Sequence, residues 1–146
     1  WHRDLCVWTA LARGTPRLPG LILGLVPGGV CEGLAFKVAD AEQSEMLKTL
    51  WEREVWTDVY VPNWVSIVCG KQTHTAITFT TNTESLQFAG GLSVKHVVDH
   101  VVQARGRMGT CWEYLFSTMD KLQALGINEP DLQNVSELAR AQLDRR

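Results

Sequence analysis

The sequence lacks three features that would each place it in a functional class. Its net charge is only −2 and no run of lysine or arginine occurs beyond Arg145-Arg146, so we expect no nucleic-acid partner. No stretch reaches the roughly 20 consecutive apolar residues of a membrane-spanning helix, so we expect no membrane partner. The four cysteines include no Cys-x-x-Cys pair, which argues against a zinc ribbon or a dithiol redox motif. Free thiols are typical of a reducing cytosol, and they predict a cytoplasmic protein.

The amino-acid composition is that of a single folded domain. With 146 residues, 45% of them hydrophobic and 21% charged, the chain is long and apolar enough to bury a core. We therefore expect one domain over residues 1–146. The chain starts at Trp1 rather than at a methionine and enters a strand-like run at once, so we expect natural sequence upstream.

The pattern of apolar residues predicts strands mostly in the first half of the chain and helices mostly in the second. The expected strands are residues 5–11, 21–26, 30–38, 59–69 and 73–81. Two hairpins are predicted, one of residues 21–26 with 30–38 and one of residues 59–69 with 73–81. The expected helices are residues 40–55, 94–104 with Ser93 as the cap, 111–125 and 130–143. Strands followed by helices are typical of an α+β fold.

Glu54 occupies a position where a helix normally places a leucine. Three apolar residues at steps of three and four form one face of the predicted helix, and Glu54 is the next position on that face. They are Leu47, Leu50 and Trp51. Burial disfavours an ionised carboxylate, so an uncompensated Glu54 would have a raised pKa and suit proton transfer near neutral pH. Two alternatives stay open: a cation such as Arg53 or Arg13 pairs with it, or the helix frays near Thr57 and exposes it.

Two other motifs resemble ligand sites but lack essential residues. His96 and His100 stand four apart on a predicted helix, as zinc ligands do in metalloproteases, but Val97 replaces the expected glutamate and no third ligand follows. Residues 106–109 precede a helix but lack the lysine and Ser/Thr of a phosphate-binding loop, so we expect a turn between helices. The sequence therefore predicts no metal site.

Several longer motifs are spread along the chain in a definite order. In chain order they are Arg13-Gly14-Thr15-Pro16 with Pro19-Gly20-Leu21, Gly28-Gly29-Val30-Cys31-Glu32-Gly33-Leu34-Ala35-Phe36, Leu50-Trp51-Glu52-Arg53-Glu54, Tyr60-Val61-Pro62-Asn63-Trp64-Val65, Ala104-Arg105-Gly106-Arg107-Met108-Gly109-Thr110-Cys111-Trp112-Glu113-Tyr114-Leu115 with Thr118, and Leu125-Gly126-Ile127. With these motifs in register, nearly all of the chain closely resembles the ChaC family of γ-glutamylcyclotransferases. The resemblance implies an α+β fold with a small β-barrel-like sheet flanked by helices.

The resemblance also implies an activity, the cleavage of glutathione to 5-oxoproline and cysteinylglycine. In the family the catalytic glutamate follows an arginine at the end of a helix, and Arg53-Glu54 matches that pattern. The helical face and the resemblance therefore select Glu54 independently. We assign Glu54 as the general base for the γ-glutamyl amine and then as the acid for the leaving nitrogen, a role that needs no metal or cofactor.

The sequence departs from the family at one point. Members of the family carry a Tyr-Gly-Ser-Leu loop near the N-terminus that holds the γ-glutamyl group, and these 146 residues contain no such tetrapeptide. We expect that loop and a strand to lie upstream of Trp1, so that the 146-residue domain alone is weak or inactive. The other explanation is a relative that no longer turns substrate over.

Arg13 and Tyr114 are the remaining candidates for substrate binding. Arg13 could make a bidentate contact with a substrate carboxylate, or it could cap a turn or form a surface salt bridge. Tyr114 could offer its hydroxyl to the substrate or to Glu54, or it could be a core tyrosine with a backbone partner. Glu113 is expected to orient neighbouring backbone.

Two other functions stay open besides glutathione cleavage. One is a cyclotransferase of the same fold that acts on other γ-glutamyl compounds, and the other is a non-catalytic binding or regulatory domain in which Glu54 serves stability. We expect no obligate protein partner.

Overall fold

The computed structural model describes residues 1–55 and 57–145 and has an α+β fold, as predicted. The strands are β1 (His2–Thr9), β2 (Gly20–Val26), β3 (Tyr60–Cys69), β4 (Gln72–Thr81), β5 (Arg105–Gly106) and β6 (Gly109–Thr110). The helices are α1 (Gln43–Glu54), preceded by a 3₁₀ turn at Asp40–Glu42, then α2 (Val94–Gln103), α3 (Cys111–Ala124) and α4 (Pro130–Leu143). Among the described residues, no helix has both the length and the apolar character needed to cross a membrane.

The partner of β2 differs from the prediction. β2 pairs antiparallel with β1, with a bulge between Leu5 and Val7, and residues 30–38 form no strand. The predicted hairpin of residues 21–26 with 30–38 is therefore wrong. The glycines after Pro27 do turn the chain, but burial decides the pairing, because Leu5 and Leu21 are almost fully buried whereas most of residues 30–38 are exposed.

The second predicted hairpin is confirmed. β3 and β4 pair antiparallel from Tyr60 opposite Thr81 to Cys69 opposite Gln72. The strands of the described residues form three separate two-stranded ladders, so they make no closed barrel. β2 instead packs against the end of β4, where Gly24 lies so near Thr81 that a Cβ on Gly24 would stand 1.9 Å from its Oγ1. This contact brings the start of β3 over β2.

The helices form the larger part of the core. Four valines of α2 are buried against α3, α4 and β2, and burying each one contributes roughly 1.5–3 kcal/mol. The cap of α2 is confirmed, because the Ser93 side chain accepts from the backbone N–H of His96. Thr110 and Glu113 form a reciprocal capping box that fixes the start of α3. The chain therefore begins α3 at a defined residue, which matters for the site described below.

Residues 106–109 form the turn of a short hairpin between α2 and α3, made by β5 and β6. The backbone N–H of Arg107 donates to the carbonyl of Leu11 at 2.9 Å, and that of Met108 to the carbonyl of Ala12, also at 2.9 Å. Both amides are thus bound to the loop between β1 and β2. The predicted turn is confirmed, and its donors serve the fold rather than a phosphate.

Candidate active site

Glu54 is the last residue of α1, and its side chain is 22% exposed. The predicted helix is confirmed, but it lies on the surface and buries no residue completely. Leu47 and Leu50 are half-buried, whereas Trp51 is 51% exposed. The prediction that Trp51 lies on an inward face is therefore wrong. Glu54 Oε1 accepts a hydrogen bond from Arg53 Nε at 2.6 Å. The ion pair that the sequence left open as an alternative is therefore present.

Tyr60 is the site residue that sequence analysis missed. It begins β3, six positions after Glu54, and its hydroxyl donates to the carbonyl of Leu23 on β2 at 3.0 Å. Burial raises the pKa of Tyr60 well above the ordinary value of 10.0, and the neighbouring Tyr114, Cys6 and Glu54 raise it further. Helix α1, which ends at Glu54, contacts β3, which begins at Tyr60. Trp56, between the two, is outside the described residues.

Tyr114 also binds the backbone of Leu23 on β2. Its hydroxyl accepts from the backbone N–H of Leu23 at 3.1 Å, so the N–H and the carbonyl of one residue are held by two phenols. A hydroxyl that accepts still has its own proton to donate. Burial raises the pKa of Tyr114, although the Leu23 bond and the positive charge of Arg13 oppose that shift. The backbone partner is the structural alternative that the sequence left open, and it leaves the hydroxyl proton free for a second role.

Side chains of α3 bind backbone groups of β2 along the edge opposite β1, where a further strand would otherwise pair. The thiol of Cys111 accepts from the N–H of Leu21 at 3.3 Å and donates to its carbonyl at 3.1 Å. Residues 111 and 114 lie on one face of α3, and residues 21 and 23 point to one edge of β2. The start of α3 therefore sets where the Tyr114 hydroxyl lies along β2.

Arg13 lies in the loop between β1 and β2 and is half-buried. Its Nη1 donates to the carbonyl of Met108 and, at 3.4 Å, to that of Thr110. Its guanidinium carbon stands 5.6 Å from the centre of the Tyr114 ring. Turn capping, one of the alternatives for Arg13, is present, and the contact with a substrate carboxylate stays a prediction.

Glu113 orients the backbone, as expected from the sequence. Its carboxylate accepts from the N–H of Thr110 at 2.8 Å and from the Thr110 hydroxyl at 2.7 Å. These bonds hold the pKa of Glu113 below its ordinary range.

The two histidines of α2 have separate structural partners. His96 Nδ1 lies 3.1 Å from the hydroxyl of Ser93, and His100 Nδ1 lies 2.9 Å from the carbonyl of Pro19. The ring of His100 also packs edge-on against Trp8, with the centroids 4.7 Å apart. Within residues 1–55 and 57–145, no three His, Cys, Asp or Glu side chains form a group that could hold a metal ion.

Surface clefts of the described chain lie at two other places. One lies between α3 and α4, and the other between the loop that carries Gly14 and the turn at Gly106. Glu54, Tyr60 and Tyr114 line neither of them. The candidate site is therefore defined by its side chains: a carboxylate with an adjacent cation at the end of α1, and two phenols bound to the backbone of one residue, Leu23, with Tyr60 on the strand that α1 contacts. The carboxylate can take up a proton, and the Tyr114 hydroxyl, which accepts at Leu23, can donate its own proton to a developing oxyanion.

We expect the free energy of unfolding to fall as the pH rises above about 10, the ordinary pKa of tyrosine. Tyr60 and Tyr114 have raised pKa values in the folded protein, so above pH 10 the unfolded chain binds fewer protons than the folded one. Their contribution to stability is complete below that pH and is lost as the pH rises through the raised folded values. Chemical denaturation at several alkaline pH values measures this fall.

The chain contains only two tyrosines, so tyrosinate absorbance reports these two phenols alone. The Tyr60→Phe and Tyr114→Phe variants should each remove one alkaline step from that titration. The buried thiols of Cys6 and Cys111, whose pKa values burial also raises, are kept unchanged in both variants. A titration of the folded protein with both midpoints near 10 would contradict the burial of the two hydroxyls.

Comparison with known proteins gives consistent results. A family model described as ChaC-like protein matches residues 1–142. A curated relative from Escherichia coli (strain K12), named glutathione-specific gamma-glutamylcyclotransferase, is 29% identical over 136 residues, which are 92% of this chain. The chain spans 59% of the length of that relative.

Two crystal structures of a yeast γ-glutamyl cyclotransferase specific to glutathione share the fold. The selenomethionine-labelled form has a TM-score of 0.77 and covers 96% of this chain and 83% of its own. The other form has a TM-score of 0.78 and covers 97% and 86%. Both are 15% identical to this chain, so the likeness concerns the fold.

Proposed function

This chain belongs to the ChaC-like protein family, and on that premise we propose that it is a γ-glutamylcyclotransferase domain that cleaves glutathione. The observation that carries the proposal is the Glu54 carboxylate at the end of α1, a helix that contacts β3, whose first residue Tyr60 binds the backbone of Leu23 together with Tyr114. The curated name of the Escherichia coli relative supports glutathione as the substrate. Four free thiols support a cytoplasmic location.

The proposed reaction is an intramolecular transfer. The α-amine nitrogen of the γ-glutamyl group forms a bond to its own γ-carbonyl carbon, and the bond from that carbon to the cysteine nitrogen breaks. The products are 5-oxoproline and cysteinylglycine, so no water is consumed. Since the nucleophile is tethered to its target, holding the reactive conformer can supply up to roughly 7–11 kcal/mol of the barrier.

Glu54 supplies the proton transfers in this proposal. The α-ammonium must lose a proton before it can attack, and the Glu54 carboxylate accepts that proton. The protonated Glu54 then gives it to the departing cysteine nitrogen, so that one carboxyl serves both half-steps. Arg53 Nε donates to Glu54 Oε1 at 2.6 Å and so helps to orient the carboxylate.

The tyrosines and Arg13 are proposed to serve binding and charge stabilisation. The Tyr114 hydroxyl accepts from Leu23, which leaves its proton available to the substrate or to the oxyanion of the tetrahedral intermediate. Tyr60 holds the carbonyl of the same residue and thereby helps to fix the backbone that Tyr114 binds. Arg13 is the candidate for a substrate carboxylate, because among the described residues its hydrogen bonds leave from Nη1 alone.

The proposal is tested by measuring 5-oxoproline released from glutathione. The assay is made with this 146-residue chain and with the same chain preceded by any residues it has in the natural protein, since we expect a substrate loop there. Other γ-glutamyl dipeptides run in parallel distinguish glutathione specificity from a broader substrate range. No release from the longer chain with any γ-glutamyl compound would overturn the proposal and favour a non-catalytic domain.

A further inference from the structure

The turn before α3 is held by the loop between β1 and β2 in two ways. Backbone bonds join the amides of Arg107 and Met108 to the carbonyls of Leu11 and Ala12, as described above. The side chain of Arg13 then reaches the same turn and donates to the carbonyls of Met108 and Thr110. One arginine therefore spans the turn and the residue that caps α3.

Gly109 makes this arrangement possible. Its φ of +105° is a conformation that residues with a side chain rarely adopt, and a Cβ there would stand 3.0 Å from Arg13 Nη1 and 2.8 Å from Glu113 Oε2. Any side chain at position 109 would therefore collide with the side chains of Arg13 and Glu113 where they contact the turn. Arg13 and the capping box fix the same first turn of α3.

The first turn of α3 also carries the side chains that contact β2. Cys111 binds both backbone groups of Leu21, and Tyr114 binds the N–H of Leu23. The guanidinium of Arg13 lies over the Tyr114 ring, so a single side chain contacts the start of the helix and the phenol three residues into it. A shift of the helix along β2 would therefore break contacts of Arg13 and of Tyr114 together.

We propose that Arg13 is a positioning residue, which holds the first turn of α3 in the register at which the Tyr114 hydroxyl meets the N–H of Leu23. The proposal deepens the proposed function, because it assigns to Arg13 a task in the substrate-free protein besides any contact with a carboxylate. Lysine cannot replace the arginine fully, because the planar guanidinium presents several donors in a fixed fork whereas an ammonium acts as a point charge.

The Leu23 amide proton gives a direct readout, since the described structure bonds it to the Tyr114 hydroxyl. In substrate-free protein, Arg13→Met should speed hydrogen exchange of the Leu23 amide by roughly two- to tenfold, the range that one hydrogen bond supports. Tyr114→Phe removes the acceptor and should speed it by at least as much. Arg13→Lys should give an intermediate effect, and it remains informative if the methionine variant folds poorly.

Arg17→Met is the matched control, because Arg17 lies in the same loop with an exposed side chain. It should leave the Leu23 exchange rate unchanged. Amides of α2 measured in the same spectra should also be unchanged in Arg13→Met, which separates a local loosening from a general loss of stability. Equal acceleration at Leu23 and throughout α2 would overturn the positioning role.

Kinetics on an active preparation distinguish positioning from substrate binding. If Arg13 positions Tyr114, kcat should fall in Arg13→Met by roughly 10- to 100-fold, as misplacement of a site group does. A rise in KM alone, with the Leu23 exchange rate unchanged, would overturn the proposal and leave Arg13 as a substrate contact only. The exchange measurement needs no turnover, so it stays decisive even if the proposed function fails.

Discussion

Replacing Glu54 with glutamine should abolish 5-oxoproline release while leaving the protein as stable as before. The amide keeps the size of the side chain but cannot take up the proton of the α-amine, and the loss of such a proton transfer typically lowers the rate by about 10²–10⁴-fold. The measurement is the release of 5-oxoproline from glutathione, made on the chain preceded by any residues it has in the natural protein, with and without the substitution and under identical conditions.

The stability of the Glu54→Gln variant follows from two small, opposing effects. Glu54 is the last residue of α1, where the partial negative charge of the helix end disfavours a carboxylate by about 0.3–1 kcal/mol. Its ion pair with the largely exposed Arg53 opposes that effect by about 0–1 kcal/mol. We therefore expect the melting temperature to be equal or slightly higher, as measured by calorimetry.

Glu52→Gln is the control for this prediction. Glu52 lies on the same helix with a 68% exposed side chain and an ion pair to Lys48 at 3.8 Å, so its substitution removes a charge without touching the site. It should retain full activity. If Glu54→Gln instead kept its activity, or lost several kcal/mol of stability, Glu54 would be a structural residue and the proposed mechanism would fail.

The helices and the second hairpin could be predicted because their signals are local. Ser93 and the capping box of Thr110 with Glu113 mark where helices begin, and Gly70 marks the turn of the β3 and β4 hairpin. The pairing of β2 could not be predicted, because its partner β1 lies across the loop of residues 10–19. Nothing local in the sequence shows which of two apolar segments becomes buried against it.

The candidate site was predictable only in part for a similar reason. The helical period identified Glu54, but a period shows which face is turned inward and not how deeply the helix is buried, so Trp51 was misassigned. Tyr60 was not identified as a site residue, because the alternation of apolar and polar residues in a strand does not distinguish it from the neighbouring side chains. The scarcity of tyrosine was the available signal, since both tyrosines of the chain meet at Leu23.

Gly14→Ala should be the most destabilising single substitution that we propose, and its effect should extend to the site. Gly14 is buried, and a Cβ there would lie 2.0 Å from the amide nitrogen of Gly20 and 2.6 Å from the carbonyl oxygen of Thr9. These are backbone atoms of the loop and its two strands, and they cannot move aside as the end of a flexible side chain can. We expect a loss of about 3 kcal/mol or more in the free energy of unfolding.

The same close approach explains how the Arg13 loop is held in place. Gly106 faces Gly14 across the contact, since a Cβ on Gly106 would lie 2.6 Å from the amide nitrogen of Gly14 and 2.5 Å from the carbonyl of Ala12. The backbone of the loop between β1 and β2 thus packs directly against the backbone of the turn between β5 and β6. Arg13 lies next to this contact, and its side chain donates to the carbonyl of Met108. Gly14 and Gly106, which the sequence places in loops, are therefore required for close packing in the structure.

Thermal unfolding tests the Gly14 prediction, with Gly33→Ala as the matched control. A loss of 3 kcal/mol should lower the melting temperature by roughly 10 °C in a domain of this size. Gly33 is exposed, and a Cβ there meets only the side-chain end of Arg3, at 3.2 Å from Nη2 and not a backbone atom, so its substitution should cost far less than that of Gly14. If Gly14→Ala were as well tolerated as Gly33→Ala, the loop could not be packed against the turn, and Arg13 could not hold α3 in register from there.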